Sequence, residues 1–303
     1  MRIVFLGTPD FAVASLQALI THKFNLVAVI TAPDRPAGRG LNLQQSAVKK
    51  CALFNNIPVL QPEKLKDENF IASLRSYEAD VQVVVAFRML PEVVWNMPKH
   101  GTINVHASLL PNYRGAAPIN WAIINGEHET GVTTFKLQHQ IDTGNILLQE
   151  KIKISSEDNA GTLHDKLMHL GAELIVKTMT QLQENNLIEH PQLLSENDKH
   201  APKLFSETCF IKWEQSAHET HNLIRGLSPY PAAFCLLQTK KLKLFRSDFE
   251  ESLHNFDKGH VETDNKSYLK FATHDGFVNI LELQLEGKKR MMIEDFLRGN
   301  KIN

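Results

Sequence analysis

Cysteine is scarce in this chain of 303 residues, which contains only Cys51, Cys209 and Cys235. They are odd in number, far apart, and outside any spacing used by metal sites or by a disulfide framework. This scarcity excludes a small secreted domain stabilised by disulfides and indicates a reducing compartment. We therefore expect a cytoplasmic protein that binds no metal.

Long hydrophobic runs are also absent. No apolar stretch approaches the ~20 residues that a helix needs to cross a bilayer. The first residues, MRIVFLGTPDF, hold only a short apolar run before Gly7, which is too short for the core of a signal peptide. We expect no secretory signal and no contact with a membrane.

Neither sign of charge is in excess. The chain has 33 Lys and Arg against 34 Asp and Glu, which gives a formal net charge of −1. Proteins that hold nucleic acid by their overall charge are strongly basic. Any RNA contact in this protein must therefore depend on local clusters of Lys and Arg.

The apolar segments of the first half predict an α/β fold. Runs of strand length alternate with helical segments, as in a Rossmann-like, doubly wound, mostly parallel sheet that is covered on both faces. The segments GVTTFKL and ILLQEKIKI alternate more strictly and predict an antiparallel pair at one edge. The predicted parallel strands are 2–6, 26–30, 57–60, 81–87 and 102–105.

The second half predicts a smaller, β-rich domain. Residues 189–208 are polar, contain two prolines and lack periodicity, so we interpret them as a linker between domain 1–188 and domain 209–303. The second domain begins with a helix that has a capping box at Ser216 and Glu219 and that we expect to end at Gly226. The short strand-like runs that follow predict a β-barrel of the OB type.

Asn104 and His106 lie two residues apart at the carboxyl end of the fifth predicted strand. Ligands of open parallel sheets bind at this edge, and alternation places both side chains on the same side of the strand. An amide and an imidazolium are suitable hydrogen-bond donors for an oxyanion, which favours acyl transfer. Asp142, on a later loop, could orient the imidazole. Spacing alone leaves purely structural roles open for all three residues.

Several segments, in order, resemble the folate-dependent formyltransferase family. They are GTPDFA (7–12), NVHASLLPNYRGAAPINW (104–121) and TGVTTF with IDTG (130–144). TAPDRPAGRG (31–40), GLSPYPAAF (226–234) and GKKRMMIEDFLRG (287–299) resemble the members that act on initiator tRNA. The resemblance implies that the formyl group of 10-formyltetrahydrofolate passes by direct attack to the amino group of methionyl-initiator tRNA. We expect a monomer.

The resemblance also implies roles for individual residues. Asn104, His106 and Asp142 match the catalytic positions of the family, in domain 1–188. The residues expected to line the reduced-folate site are Phe87, Arg88, Met89, Leu90, Ser108, Leu109, Leu110 and Pro111. Plain core packing remains an alternative for the leucines. The residues expected to contact tRNA, together with domain 209–303, are Arg35, Arg39 and Lys203. We expect the segment 31–40 that carries both arginines to be irregular, because it contains two prolines and two glycines.

Three alternatives compete with this interpretation. A nucleotide-binding dehydrogenase fails on the sequence, because GTPDFA lacks the G-x-G-x-x-G phosphate turn. A non-catalytic tRNA-binding protein would not need Asn104, His106 and Asp142 together. A formyltransferase or hydrolase that acts on a small substrate would share these three residues. The chain also has AFRML (86–90) where many members of the family have a glycine-containing AYG turn, which puts detailed pterin contacts there in doubt.

Overall fold

The computed structural model describes residues 1–37 and 42–302. The strands are β1 (Arg2–Gly7), β2 (Asn25–Ile30), β3 (Arg35–Ala37), β4 (Asn42–Gln44), β5 (Val59–Leu60), β6 (Val81–Val85), β7 (Thr102–His106), β8 (Arg114–Gly115), β9 (Glu129–Lys136), β10 (Ile146–Lys153), β11 (His200–Ala201), β12 (Ala233–Leu237), β13 (Lys240–Glu251), β14 (Val261–Thr263), β15 (Leu269–Ala272), β16 (Gly276–Leu285) and β17 (Met291–Met292). The helices are α1 (Asp10–Thr21), α2 (Ala47–Phe54), α3 (Glu68–Ser76), α4 (Glu92–Trp95), α5 (Pro118–Ile124), α6 (Ala160–Gln183), α7 (Ser206–Cys209), α8 (Ala217–Leu227) and α9 (Ile293–Gly299).

The chain forms two compact units that interleave in sequence. The first comprises Met1–Arg114, Thr130–Ile152 and His164–Lys199. The second comprises Gly115–Glu129, Lys153–Leu163 and His200–Asn303. None of the helices in the described part of the chain is long and apolar enough to span a membrane.

A seven-stranded sheet forms the centre of the first unit, in the order β10-β9-β7-β6-β1-β2-β5. The pairs β1–β2, β1–β6, β2–β5 and β6–β7 are parallel, and β9 runs antiparallel to β7. The predicted doubly wound fold is thereby confirmed. The carboxyl ends of the parallel strands all lie along one edge of this sheet, where the candidate site is built.

The strand predicted over 81–87 is shorter than expected. It pairs only through Val85, because Ala86 adopts a left-handed backbone conformation with a φ of 47°. A residue in that conformation leaves the extended geometry that a strand requires. The following loop therefore begins directly at the carboxyl edge of the sheet.

The second unit contains the antiparallel sheet β12-β13-β16-β15-β14, with β17 paired to β16. Register shifts in β13 on both sides of Arg246 interrupt its ladder with β16. Such bulges bend a strand and increase its twist, which suits the barrel-like domain that the sequence predicts. The prediction of a small, barrel-like domain in addition to the α/β domain is confirmed.

Helix α8 follows the sequence prediction at its start but not at its end. Ser216 and Glu219 form the predicted capping box. The helix continues through Leu227, however, so Gly226 does not terminate it. A Cβ atom at Gly226 would lie 2.6 Å from Cγ1 of Ile124, so the glycine serves the close packing of α8 against α5.

Candidate active site

Asn104 and His106 are positioned by the ladders on both sides of β7. Asn104 lies opposite Val84 of β6 and Phe135 of β9, and His106 lies opposite Thr133 of β9. Since β7 is an inner strand, hydrogen bonds on both sides fix the direction of its side chains. Asn104 and His106 therefore face the same side at the carboxyl edge of the sheet.

The His106 ring is buried, with 7% of the residue exposed, and has an acceptor on each side. Its Nε2 lies 2.9 Å from the carbonyl oxygen of Tyr113. Because a carbonyl oxygen can only accept a hydrogen bond, Nε2 carries a proton. Nδ1 lies 3.8 Å from Oδ2 of Asp142, within ion-pair range but too far for a hydrogen bond. Nδ1 is therefore the ring nitrogen that is available to form a hydrogen bond with a ligand.

Asp142 is held in place by the short connection between β9 and β10. Its backbone has a φ of 55°, in the left-handed region. The connection is closed by a hydrogen bond of 3.0 Å from the Lys136 N–H to the Asn145 carbonyl. At Gly144 a Cβ atom would lie 1.6 Å from the Lys136 carbonyl oxygen, so no side chain fits there. These restraints aim the Asp142 carboxylate at His106.

The side chain of Asn104 is half-buried. It forms no hydrogen bond within residues 1–37 and 42–302. A half-buried amide with no protein partner is a donor that a ligand can use. With His106 as an imidazolium, Nδ1 also donates. Asn104, Nδ1–H of His106 and the carboxylate of Asp142 then combine two donors with one acceptor, which suits stabilisation of an oxyanion next to removal of a proton.

The segment Ser108–Pro111 is shaped by Thr133. The Thr133 hydroxyl donates to the Ser108 carbonyl at 2.6 Å and accepts from the Leu110 N–H at 3.1 Å. Gln149 donates both to that hydroxyl and to the Leu110 carbonyl, each at 2.9 Å. The side chains of Ser108 and Leu110 are buried, whereas Leu109 and Pro111 are half-exposed. The half-exposed pair can therefore offer apolar surface to a ligand.

The loop after β6 offers a different surface. Met89 is 74% exposed, Phe87 is half-buried and Leu90 belongs to the core. The Arg88 guanidinium donates to the main-chain carbonyls of Pro62 and Glu63. Burial, followed by the nearby charge of Arg35, lowers the pKa of Arg88. Arg88 thus links two loops at the carboxyl edge, and Phe87 and Met89 remain available for apolar contact.

Part of the segment 31–40 is regular, contrary to the sequence-based expectation: residues 31–34 are irregular, but Arg35–Ala37 form a strand. Strands β3 and β4 form an antiparallel ladder in which Pro36 lies opposite Leu43. Proline is tolerated because both strands of this isolated pair are edge strands. Arg35 is exposed on β3. Arg39, the other predicted tRNA contact of this segment, lies outside the described residues.

The base of this hairpin is anchored through Asp34. Its carboxylate accepts hydrogen bonds from Lys49 at 2.5 Å and from Gln61 at 2.8 Å. The bond from Lys49, and then the one from Gln61, lowers the pKa of Asp34. Thr31 and Ser46 add a hydroxyl–hydroxyl contact of 2.7 Å. These contacts therefore hold the residues at the start of the Arg35 hairpin in place.

Lys203 lies in the second unit, where it is exposed near an aromatic ring. Its Nζ is 5.8 Å from the centroid of the Phe205 ring. In the same unit, Nζ of Lys241 lies 3.6 Å from the Phe234 centroid, and Phe234 meets Phe210 edge-on. Lys203 is exposed and Lys241 is half-exposed. Lysines beside aromatic rings are suited to RNA, because the ammonium groups can contact phosphates and the rings can stack on bases.

Sequence reasoning missed three contributors to the site: the Tyr113 carbonyl, Thr133 and Gln192. A main-chain carbonyl has no sequence signal of its own. Thr133 belongs to an alternating strand, and its position opposite His106 follows only once the register is known. Gln192 lies in the segment interpreted as a linker, where no periodicity marks a contact. It is nevertheless joined to Asp142, as described below.

Family models match both halves of the chain. One, described as "Formyl transferase", matches residues 1–179. A second, described as "Formyl transferase, C-terminal domain", matches residues 203–301.

In the described residues, no group of three or more His, Cys, Asp and Glu side chains is arranged to hold a metal ion.

Similar proteins match over nearly the full length. A methionyl-tRNA formyltransferase of Bacteroides fragilis is 53% identical over 307 residues, which cover 99% of this chain and 95% of that protein. One of Parabacteroides distasonis is 53% identical over 311 residues, with 99% and 96% covered. A solved structure of WlaRD, a sugar 3N-formyl transferase in the presence of dTDP and 5-N-formyl-THF, has a TM-score of 0.69 at 22% identity. That match covers 95% of this chain and 99% of WlaRD.

Proposed function

Because the chain belongs to the formyl transferase family, we propose that Asn104, His106 and Asp142 perform formyl transfer at the carboxyl edge of the first unit. The chain is an enzyme with the activity of its curated relatives, which formylate methionyl-tRNA. The observation that carries the proposed site is the geometry of His106. Its Nε2 is committed to Tyr113, and its Nδ1 faces Asp142 at 3.8 Å without a direct hydrogen bond.

A folate supplies the formyl group in this proposal, in the form of 10-formyltetrahydrofolate. Members of the family use a folate-derived donor, and WlaRD was solved with a formylated tetrahydrofolate. The residues present suit such a ligand. Phe87, Met89 and Leu109 expose apolar surface for a flat ring, while the main chain of the two loops offers donors and acceptors for its polar edge.

In the proposed reaction, the amino group of methionyl-tRNA attacks the carbon of the formyl group. The electron pair of the carbonyl bond moves to oxygen, where the Asn104 amide and Nδ1–H of His106 stabilise the developing negative charge. Asp142 accepts the proton that the amine loses. The electron pair on oxygen then re-forms the carbonyl bond, the carbon–nitrogen bond to the donor breaks, and Asp142 passes its proton to the departing nitrogen. Burial of His106 and Asp142 strengthens these interactions, because little water competes for them.

A transfer assay tests this function. The purified protein is mixed with 10-formyltetrahydrofolate that carries a labelled formyl group and with methionyl-initiator tRNA, methionyl-elongator tRNA or no RNA. We expect label to reach only the initiator tRNA. Release of labelled formate without RNA would instead identify a hydrolase. Transfer to a sugar nucleotide but not to tRNA would identify a small-molecule formyltransferase.

For RNA recognition, we propose that the segment 31–40, which carries Arg35 and Arg39, contacts the tRNA, as do Lys203 and domain 209–303. Domain 1–188 supplies catalysis in this division. The exposure of Arg35, the anchored base of its hairpin and the lysine–aromatic neighbours in the second unit support the proposal. Binding is expected to weaken as salt rises, since phosphate contacts release counterions.

Replacement of Arg35 by alanine is expected to lower kcat/KM for methionyl-tRNA about 10-fold, the effect of losing one charged contact. Arg39→Ala is expected to act in the same direction. The dissociation constant for tetrahydrofolate is expected to stay unchanged, as measured by fluorescence titration. Arg75→Ala, at an exposed arginine of α3, provides the control. Equal damage to folate binding and to tRNA use would remove the proposed RNA role.

A further inference from the structure

The side chain of Gln192 uses all of its hydrogen-bonding groups within the first unit. Its Nε2 donates to the carbonyl of Asp142 at 2.9 Å and to the carbonyl of Gly144 at 2.7 Å. Its Oε1 accepts from Nε of Arg114 at 3.1 Å and from the same guanidinium through Nη2. One amide therefore joins the loop that carries Asp142 to the segment that ends at Arg114.

These two segments hold the two sides of His106. Asp142 faces Nδ1, while Tyr113, which directly precedes Arg114, accepts the hydrogen bond from Nε2. Asp142 and Tyr113 have φ values of 55° and 60°. This left-handed conformation is unfavourable for residues other than glycine, so it persists only where the surroundings hold it. Gln192 supplies such a restraint on both sides of the ring.

The chain around Gln192 is itself fixed against the first unit. His190 and Ile146 exchange two main-chain hydrogen bonds of 2.8 Å. Glu189 pairs with Lys136, and the hydrogen bond from this lysine lowers the pKa of Glu189. These contacts fix the backbone near Gln192 relative to β10. The position from which the Gln192 side chain reaches Asp142 is therefore also fixed.

We propose that Gln192 is a positioning residue that sets the distance between His106 and the carboxylate of Asp142, and with it the rate of formyl transfer. The inference rests on the proposed roles of His106 and Asp142. Glutamine suits the position, because two donors and one acceptor at the end of the same side chain match two carbonyls and one guanidinium. A carboxylate would turn oxygen toward the carbonyls, and an apolar side chain would bind neither partner.

Two replacements of similar length separate these contacts. Gln192→Glu keeps the acceptor for Arg114 and loses the donors to Asp142 and Gly144, whereas Gln192→Met loses all of these hydrogen bonds. We expect both to lower kcat about 10- to 100-fold, because small misplacements of reacting groups are costly in rate. KM for the folate and for tRNA is expected to stay unchanged. Gln183→Met is the control, since this exposed glutamine at the end of α6 lies in the first unit and has no proposed role in catalysis or binding.

A double-mutant cycle distinguishes positioning from a general structural role. If Gln192 acts through Asp142, Gln192→Met should have little further effect on kcat when combined with Asp142→Asn. Full additivity, a kcat equal to that of the wild type, or a change confined to KM would overturn the inference. The wild-type enzyme is assayed first. Absence of formylation there would refute the proposed function, whereas an active wild type with unaffected Gln192 variants would refute this inference alone.

Discussion

Replacement of His106 by alanine is expected to lower kcat for formylation of methionyl-tRNA by about 10²- to 10⁴-fold, because it removes an oxyanion donor and the partner of the proposed base. The ring has one nitrogen tied to the Tyr113 carbonyl and the other turned toward Asp142. Alanine removes the Nδ1–H donor proposed for the oxyanion. It also leaves the Asp142 carboxylate without its partner. The measurement is single-turnover transfer of a labelled formyl group at saturating folate and tRNA.

The matched control is His139→Ala, which removes an exposed histidine from the same β9–β10 connection. It is expected to leave kcat unchanged. Because the His106 ring also packs edge-on against Phe135, circular dichroism and folate binding must show that the His106 variant is folded. His106→Gln, which retains more volume, serves as a second variant. A folded His106 variant with normal transfer would refute the catalytic assignment.

Replacement of Asn104 by alanine is expected to lower kcat about 10²- to 10³-fold, or about 3–4 kcal/mol in the barrier, as found when an oxyanion donor is removed. Its amide forms no hydrogen bond in the described part of the chain, so the folded protein loses no internal hydrogen bond of that side chain. Stability should therefore change little, and the loss should appear in kcat. Thermal unfolding and steady-state kinetics on the same preparation check both points.

Asn104→Asp sharpens this test, because it keeps the size of the side chain and places negative charge beside the developing oxyanion. We expect a lower kcat than for Asn104→Ala at neutral pH. Asn186→Ala, at an exposed position after α6, should behave as the wild type. A change in KM for the folate with kcat unchanged would assign Asn104 to substrate binding and contradict the oxyanion role.

The sequence predicted those parts of the structure that depend on local pattern. The apolar strand that ends in Asn104 and His106 was recognisable, and alternation placed the two side chains on one side. The barrel-like second domain followed from short strand-like runs. The hairpin at Arg35 differs from the prediction, because proline and glycine in this segment indicate irregular structure. A short ladder made only of edge strands does not follow that rule.

The rest of the site depends on long-range contacts and on main-chain groups. Spacing alone could not bring Asp142 to His106, and the family resemblance was the stronger indication of this pair. The hydrogen bond from His106 to Tyr113 uses a carbonyl, which every residue has, so no residue type marks it. Gln192 reaches Asp142 across 50 positions of the sequence. Residues 115–129 belong to the second unit although they lie within the sequence of the first, which also depends on contacts distant in sequence.

The closed connection between β9 and β10 limits how this enzyme can change over evolutionary time. Surface loops usually tolerate insertions, because longer closures cost little entropy. Here the bond from Lys136 to Asn145 and the lack of room at Gly144 clamp both ends. One added residue would shift Asp142 out of line with His106. We therefore expect substitutions at outward side chains of this hairpin to be tolerated, and insertions or deletions not to be.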